Sequence, residues 1–280
     1  MVDATIIERI QQLRLKTVRS LTGVLVGDHR TTLIGTGLEF DQLREYRPGD
    51  DVRFVDWNST TRTGTMRVRQ YHHSCDRTTI IMVDISASIG AAGKRDLVQQ
   101  VAGIFAFVAA QTQDAIGLVL FSADVEWFVP PTRSRAQMQL MLYELFSRIP
   151  QFKGTNIEGA CSYVLKRIRR NAVVILVTDA IGAFGAGFAQ LARMHEVIVV
   201  RCQSPAEQHM ISVGRLRMRD PETGNLFELN TDDSLERVLT DRITEQDQVF
   251  RRYNIPVLTV GANEDSVNAV VGFIRKRMGR

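Results

Sequence analysis

The sequence contains little cysteine. Three cysteines occur among its 280 residues, at positions 75, 161 and 202. They lie far apart, show none of the paired spacings of zinc sites, and are odd in number, which argues against a small fold held by disulfides or zinc. A chain of this length, with 44% hydrophobic residues, buries a sizeable core without such cross-links. We therefore expect a globular protein of a reducing compartment.

Long apolar runs are also absent. No stretch approaches the roughly 18 consecutive apolar residues that identify a membrane span. Residues 1–20 are charged throughout and lack the apolar middle of a signal peptide. These two absences predict a cytoplasmic protein without a membrane span.

Neither sign of charge predominates. The chain has 35 basic and 31 acidic residues and a formal net charge of +4, which permits an anionic partner but does not require one. Arg215, Arg217 and Arg219 alternate along a predicted strand, so nucleic-acid binding is one alternative function. No aromatic stacking platform accompanies these arginines, which makes that alternative a minor one.

Local patterns divide the chain into three parts. Residues 1–22 have the apolar spacing of an amphipathic helix. Short runs punctuated by glycine predict a small β-rich subdomain over residues 23–77. From residue 78 to residue 280, apolar strands alternate with helices, with a basic hairpin-like insertion near 205–232. This alternation predicts an α/β fold with a doubly wound, mostly parallel sheet.

Polar residues follow two of the apolar strands. The first run, TTIIMVD, ends at Asp84 and is followed by Ser86 and Ser88, and the fourth run, AVVILVT, is followed by Asp179. Thr155 precedes a helix between them. In such sheets ligands bind beyond the carboxyl ends of the strands, where the strand order reverses. If the first and fourth strands are neighbours there, the two carboxylates and three hydroxyls form a site of hard oxygen ligands suited to Mg²⁺ or Mn²⁺.

The residues of this site resemble a known motif. The D-x-S-x-S sequence at 84–88, followed by a threonine and by an aspartate at a later strand end, is similar to the metal-ion-dependent adhesion site of von Willebrand factor A domains. Upstream, GTGLEF at 35–40, REYRPGDDVR at 44–53 and Asp56-Trp57 resemble the bacterial "domain of unknown function 58" family. In that family such a segment precedes a von Willebrand A-like domain. The resemblance covers about residues 30–200.

The resemblance implies roles for the site residues and for a partner. Ser86, Ser88 and Thr155 would coordinate the ion directly, and Asp84 and Asp179 would hold it directly or through water. A Glu or Asp of a protein partner would complete the site, which makes the protein a non-catalytic binding module. Family members commonly occur with MoxR-type AAA+ ATPases, which are thought to act in assembly or activation of other proteins. In this sequence Ile89 stands where many relatives have Met, and the N-terminal membrane helices of many relatives are missing.

The charged segment 39–57 has two interpretations. Its residues carry both signs of charge, and Pro48-Gly49-Asp50-Asp51 has turn chemistry. Dense mixed charge is usually structural, so one interpretation is an ion-pair network that fixes the small subdomain to the main one. The other is a surface for a protein partner, formed by a set of charged and aromatic residues: Arg44, Arg47, Arg53, Asp56 and Trp57.

An enzymatic alternative is a metal-dependent phosphohydrolase, because a metal at the carboxyl edge of a sheet supports phosphoryl chemistry. Phosphatases of the haloacid dehalogenase type follow their nucleophilic Asp with a second Asp two residues later, and Ser86 occupies that position here. Neither a phosphate-binding P-loop nor a nucleophile-elbow motif occurs. We therefore expect no catalytic residues.

Overall fold

The computed structural model describes residues 4–25, 38–47, 50, 55–73, 77–90, 94–179, 184–204, 215–219, 226–230 and 233–278. The chain divides into two compact units. One combines residues 1–26 with residues 78–280, and the other comprises residues 27–77. We call them the main unit and the small unit.

The described strands and helices follow one another in the order listed here. The strands are β1 (Leu38–Glu45), β2 (Arg67–His73), β3 (Thr78–Asp84), β4 (Ala115–Phe121), β5 (Val125–Thr132), β6 (Val173–Thr178), β7 (Glu196–Gln203), β8 (Arg215–Arg219), β9 (Leu226–Asn230) and β10 (Val257–Gly261). The helices are α1 (Ala4–Leu25), α2 (Trp57–Thr63), α3 (Ala87–Gly90), α4 (Lys94–Gln111), α5 (Arg135–Ser147), α6 (Ile157–Arg167), α7 (Ala186–Met194), α8 (Asp233–Arg252) and α9 (Ser266–Met278).

The main unit contains a six-stranded sheet in the order β10-β7-β6-β3-β4-β5. Its strand pairs are parallel except that β5 runs antiparallel to β4. Helices cover both faces, so the predicted α/β fold with a doubly wound, mostly parallel sheet is confirmed. The central strand β3 pairs with β4 on one side and β6 on the other. The strand order therefore reverses at β3 and β6.

The core lies on both faces of this sheet. Successive side chains of a strand point to opposite faces, and both Ile80 and Ile81 are at most 1% exposed. Ile81 belongs to a buried cluster with residues of α1, α4 and α5, whereas Ile80 belongs to a second cluster with residues of α6 and α7. Burial on both faces explains why β3 is a continuous apolar run rather than an alternating one.

The N-terminal helix packs against the rest of the main unit through Leu13 and Leu21, which are buried in the same cluster as residues of α4. A Cβ at Gly103 of α4 would lie 2.8 Å from Cδ2 of Leu13, so the absent side chain allows the two helices to approach closely. Helix α1 continues to Leu25. It therefore runs beyond the boundary predicted at residue 22 and includes residues 23–25, which the sequence pattern assigned to the β-rich subdomain.

The small unit contains an antiparallel pair of strands, β1 and β2. It also contains the helix α2. The sequence pattern did not predict this helix, because it indicated a β-rich subdomain over residues 23–77. The carboxylate of Asp56 accepts a hydrogen bond from the Ser59 amide at 2.9 Å and caps the start of α2. The helix ends at Gly64, whose φ of 72° is in the left-handed region that glycine adopts without strain.

The basic insertion is described only in its strands. Strands β8 and β9 form an antiparallel pair, as the hairpin-like pattern predicts. The alternating arginines at 215, 217 and 219 lie in β8. Within the described parts of the chain, no helix is both long enough and apolar enough to cross a bilayer.

Candidate functional site

The site is built on the ends of two neighbouring strands. Val83 of β3 pairs with Val177 of β6 in parallel register, so Asp84 and Thr178 leave the sheet side by side. The Thr178 hydroxyl donates a hydrogen bond of 2.9 Å to Oδ2 of Asp84. The adjacency of the first and fourth strands of the main unit, on which the predicted site depends, is therefore present. We call this end of the sheet the carboxyl edge.

Asp84 is fully buried at this edge. Its Oδ1 accepts a hydrogen bond of 2.9 Å from the Ser86 amide. Burial and the neighbouring negative charge of Asp179 raise the pKa of Asp84 to about 6, although the hydrogen bonds from Ser86 and Thr178 act in the opposite direction. The surroundings of Asp84 thus disfavour its negative charge.

Two hydroxyls of the D-x-S-x-S motif lie in the loop after β3. The Oγ atoms of Ser86 and Ser88 are 2.9 Å apart and hydrogen bonded to each other. Ser86 is fully buried and Ser88 is half-buried. The Ile89 amide donates to the Ser86 carbonyl, which closes a turn at the start of α3 and holds the loop against the edge. The motif therefore presents two adjacent hydroxyl oxygens next to Asp84.

Thr155 belongs to a loop anchored at the same edge. The amide of the next residue, Asn156, donates a hydrogen bond of 2.8 Å to the Ser122 carbonyl, one residue beyond the end of β4. The Asn156 side chain accepts from the Gly159 amide at 2.8 Å and caps α6. Since β4 is the other neighbour of β3, this anchoring places the half-buried Thr155 on the opposite side of Asp84 from β6.

Asp179 follows β6 and forms a buried ion pair. Nζ of Lys94 donates a hydrogen bond of 2.9 Å to Oδ2 of Asp179, and the two side chains are 4% and 3% exposed. Sequence analysis did not identify Lys94 as a site residue. A signal was present, because Lys94 precedes Leu97, Val98 and Val101 at the i+3, i+4 and i+7 spacing of a buried helix face, and all four are buried.

The segment that leads to Thr155 is fixed by a carboxylate of β5. Glu126 accepts hydrogen bonds from the Ser122 hydroxyl and from the amides of Gln151 and Phe152. Two apolar side chains of this segment are exposed to solvent: Ile149 is 71% exposed and Phe152 is 47% exposed.

A second carboxylate fixes the chain beyond Asp179. Glu158 of α6 accepts hydrogen bonds from the amides of Gly185, Gly187 and Phe188, at 2.6, 2.7 and 3.2 Å. These amides lie at the N-terminal end of α7, where a helix favours a negative charge. The helix that begins after Thr155 is thus joined to the helix that begins after Asp179.

A small pocket opens beside the two motif residues nearest the sheet. Its volume is about 170 Å³, and Asp84 and Ser86 form part of its wall. The rest of the wall is mainly apolar, and the lining residues are Ile85, Ile89, Arg95, Val98, Gln99, Ile149 and Pro150. The Arg95 guanidinium donates to the Arg148 carbonyl and so connects α4 with the segment that carries Ile149.

The residues predicted as a partner surface have different environments in the small unit. The Arg44 guanidinium donates two hydrogen bonds of 2.7 Å to the Asp50 carboxylate, which also accepts from the Arg47 amide. Asp56 caps α2, whereas Trp57 is 58% exposed. Arg53 lies outside the described residues. Arg44 and Asp56 thus have local structural contacts, and Trp57 is the exposed aromatic residue of the set.

The donor atoms at the carboxyl edge have the chemistry that a hard divalent cation requires. They are two carboxylates and three hydroxyls, all oxygen ligands of the kind that Mg²⁺ and Mn²⁺ prefer. Within the described ranges no group of three or more His, Cys, Asp or Glu side chains could hold a metal ion, so a site here depends on its hydroxyls. The residue types fit such an ion, while the Lys94 ammonium contacts one of the two carboxylates.

The chain is similar to proteins that are described as uncharacterized or hypothetical. The chain is 26% identical to the uncharacterized proteins Mb1516 of Mycobacterium bovis and Rv1480 of Mycobacterium tuberculosis, over 98% of this chain and 90% of each relative. Among solved structures, it is similar to the conserved hypothetical protein BatB from Bacteroides thetaiotaomicron, with a TM-score of 0.45 and 16% identity over 73% of this chain and 100% of that chain. The family model "Protein of unknown function DUF58" matches residues 42–249, and the chain belongs to this family.

Proposed function

We propose that this protein is a non-catalytic, metal-dependent protein-binding module. Its site is an adhesion-type site of a von Willebrand A-like domain for Mg²⁺ or Mn²⁺, and its ligands are Asp84, Ser86, Ser88, Thr155 and Asp179. The observation that carries the proposal is the hydrogen bond between Thr178 and Asp84 across the ends of β6 and β3. It shows that these two strands end together, and the carboxyl ends of such strands are where α/β sheets bind ligands.

The electrostatics of Asp84 support a cation at this place. A buried carboxylate whose pKa is raised by desolvation and by a second carboxylate is stabilised when positive charge is added nearby. The Lys94 ammonium contacts Asp179, so the two carboxylates and the ammonium together still carry one negative charge. A divalent ion would make the charge of the group positive and leave it attractive to an external anion.

The ligand set also favours binding of a partner over tight enclosure of the ion. Three of the five ligands are neutral hydroxyls, so they withdraw little of the ion's charge. A bound Mg²⁺ would supply a Lewis-acidic centre to which a Glu or Asp of the partner binds. Ser86 and Ser88 hold the protein side of this site in one loop through their mutual hydrogen bond.

The surroundings suit a protein partner. The apolar pocket beside Asp84 and Ser86 would accept an apolar side chain next to the partner's carboxylate. Ile149, which lines this pocket, and Phe152, three residues later in the chain, are both exposed. They provide apolar surface of the kind that protein interfaces bury at their centre. We therefore expect a recognition segment that combines one acidic residue with neighbouring apolar residues.

We propose a MoxR-type AAA+ ATPase as the first partner to test, with the complex formed in the cytoplasm. This choice depends on the family resemblance. Catalysis is not part of the proposal, because Ser86 replaces the second Asp of a haloacid dehalogenase-type phosphatase.

The experiment is a binding assay between the full chain and a MoxR-type ATPase from the same genome, in 10 mM Mg²⁺ and in excess chelator. We expect wild type to bind only with Mg²⁺, and Asp84→Ala not to bind in either condition. Asp124→Asn is the matched control, because Asp124 is an exposed carboxylate that follows β4 at the same edge. Binding that survives both the chelator and Asp84→Ala would contradict the metal-dependent mechanism. Turnover of a phosphate ester that disappears in Asp84→Ala would contradict the non-catalytic part.

A further inference from the structure

The buried Lys94 is the feature of the site that neither its motif nor its family resemblance explains. It is the first residue of α4, is 3% exposed, and reaches Asp179 over a separation of 85 residues. A lysine is rarely buried to this degree unless its ammonium is paired. Its partner is one of the five proposed metal ligands, which makes the ion pair part of the same site.

We infer that Lys94 is a tethered cation that competes with the divalent ion for Asp179 and thereby sets the metal concentration at which the site fills. The inference rests on the proposed function, since it concerns filling of the same site. It adds a positioning residue that determines the affinity for metal and is not itself a ligand.

The geometry of the pair is the basis for competition. Oδ2 of Asp179 accepts from Nζ of Lys94 at 2.9 Å, so this carboxylate already neutralises a positive charge. A metal ion held by Asp179 would lie next to the ammonium, and two cations close together in a buried site repel each other strongly because water screens them little. Metal binding therefore requires that Lys94 withdraw from Asp179 or that more negative charge enter the site.

The position of Lys94 restricts such a withdrawal. Leu97 and Val98, one turn later, are buried in the core of the main unit and hold the start of α4 in place. We therefore expect the ammonium to withdraw by a change in the rotamer of the lysine side chain. Moving the ammonium costs free energy, and this cost makes the free energy of metal binding less favourable. We therefore expect wild type to bind metal weakly on its own.

The same competition links metal binding to the partner. A carboxylate brought by the partner would add a negative charge, which offsets the repulsion between the ion and Lys94. Metal and partner would then each bind more tightly in the presence of the other, because coupling between two ligands is reciprocal. Lys94 would thus suppress filling of the site until a partner with an acidic residue arrives.

The test is a calorimetric titration of Mn²⁺ into metal-stripped wild type and Lys94→Gln, which removes the charge and keeps a hydrogen-bond donor for Asp179. We expect Lys94→Gln to bind Mn²⁺ with a Kd lower by about 5- to 150-fold, the usual range of coupling between sites. Its thermal midpoint should be lower than wild type without metal and should rise more on Mn²⁺ addition. Arg9→Gln is the matched control, since it removes the cation from an exposed ion pair between Arg9 of α1 and Asp96, which lies two residues after Lys94 in α4, and should leave the Kd unchanged.

The outcomes separate this inference from the proposed function. If wild type and a folded Lys94→Gln bind Mn²⁺ equally, or the variant binds more weakly, the competition is overturned while the metal site stands. If only Lys94→Gln binds, the competition is supported and the wild-type site fills only together with its partner, so the Mg²⁺-dependent partner assay then decides the proposed function. If neither binds at 20 mM Mn²⁺, both are overturned.

A measurement on wild type covers the case in which Lys94→Gln does not fold. The ammonium resonance of a buried, hydrogen-bonded lysine exchanges slowly enough to observe by ¹H–¹⁵N NMR, and Lys94→Arg identifies it by its disappearance. We expect this resonance to shift or vanish in step with Mg²⁺ binding. A Lys94 resonance that stays unchanged while Mg²⁺ binds would overturn the inference.

Discussion

The Thr178 hydroxyl donates a hydrogen bond of 2.9 Å to Oδ2 of Asp84, and both residues are fully buried. This bond joins the ends of two neighbouring parallel strands at the place where the strand order of the sheet reverses. It holds Asp84 in a fixed orientation while the next residue after Thr178, Asp179, accepts from Lys94. Hydrogen bonds between its own polar residues thus hold the candidate site in place.

Thr178→Val should lower the free energy of unfolding and also weaken metal binding. Loss of a hydrogen bond to a buried carboxylate costs about 1.5–3 kcal/mol, measured by urea denaturation. Thr79→Val is the matched control, because the Thr79 hydroxyl donates at 2.9 Å to the Asp114 carboxylate at the other end of β3. Both variants should be destabilised, but only Thr178→Val should raise the Kd for Mn²⁺. Equal Kd values in the two variants would show that Thr178 has no role in the site.

Asp84→Asn should stabilise the metal-free protein while abolishing its response to metal. The pKa of Asp84 is raised from its ordinary 3.8 to about 6, so its ionised form destabilises the folded state at pH 7.5. Removing the charge should add on the order of 1–3 kcal/mol to the free energy of unfolding, since one pKa unit corresponds to about 1.4 kcal/mol. Urea denaturation in metal-stripped buffer measures this. A destabilised Asp84→Asn variant would show that the carboxylate has a structural role that outweighs its burial.

Glu158→Gln should loosen the start of α7. The glutamine keeps one acceptor oxygen, but an NH₂ group replaces the other oxygen and faces backbone amides, which are also donors. The variant therefore loses the hydrogen bond that the amide of Gly185 or Gly187 donates to Glu158. We expect a loss of about 1–3 kcal/mol and faster amide hydrogen exchange at residues 185–188. Glu144→Gln, which removes a charge from the i,i+4 pair with Arg148, should change neither exchange rate nor stability by as much. Unchanged exchange at residues 185–188 would contradict the role of Glu158.

The Arg44–Asp50 pair predicts acid sensitivity of the small unit. The Arg44 guanidinium and the Arg47 amide lower the pKa of Asp50 from its ordinary 3.8 to about 2. An acid with a depressed pKa stabilises the fold above its ordinary pKa, and that contribution is lost as the pH falls through about 4 toward 2. Arg44→Gln should remove this part of the acid dependence, observed by hydrogen exchange at β1 between pH 2.5 and 5. An unchanged profile would show that the pair contributes nothing to folding.

Trp57→Ala tests the partner-surface interpretation of the charged segment. Trp57 is 58% exposed, and truncation of an exposed residue usually changes stability by less than about 0.5 kcal/mol. If the small unit contributes to partner binding, Trp57→Ala should weaken the complex at least tenfold with an unchanged thermal midpoint. A lower midpoint with unchanged partner affinity would assign Trp57 to the fold instead.

The sheet and the location of the site could be predicted from the sequence because they depend on local patterns. The runs that form β3 and β6 are continuously apolar, and the topology of α/β sheets brings their ends together. The contacts of Lys94 and Glu158 could not be predicted in this way, since they join residues 85 and 27 positions apart and depend on side-chain packing. Helix α2 was missed because its seven residues are too few to show a helical period.

The measurement that tests the central claim most directly is the thermal midpoint of metal-stripped wild type and Asp84→Ala during titration with Mg²⁺. An ion that binds only the folded protein stabilises it by about 1.4 kcal/mol at ten times its Kd, so even a millimolar site is detectable at high concentration. We predict a rise in midpoint that saturates for wild type and is absent in Asp84→Ala. Identical responses of the two proteins would contradict a metal site at Asp84.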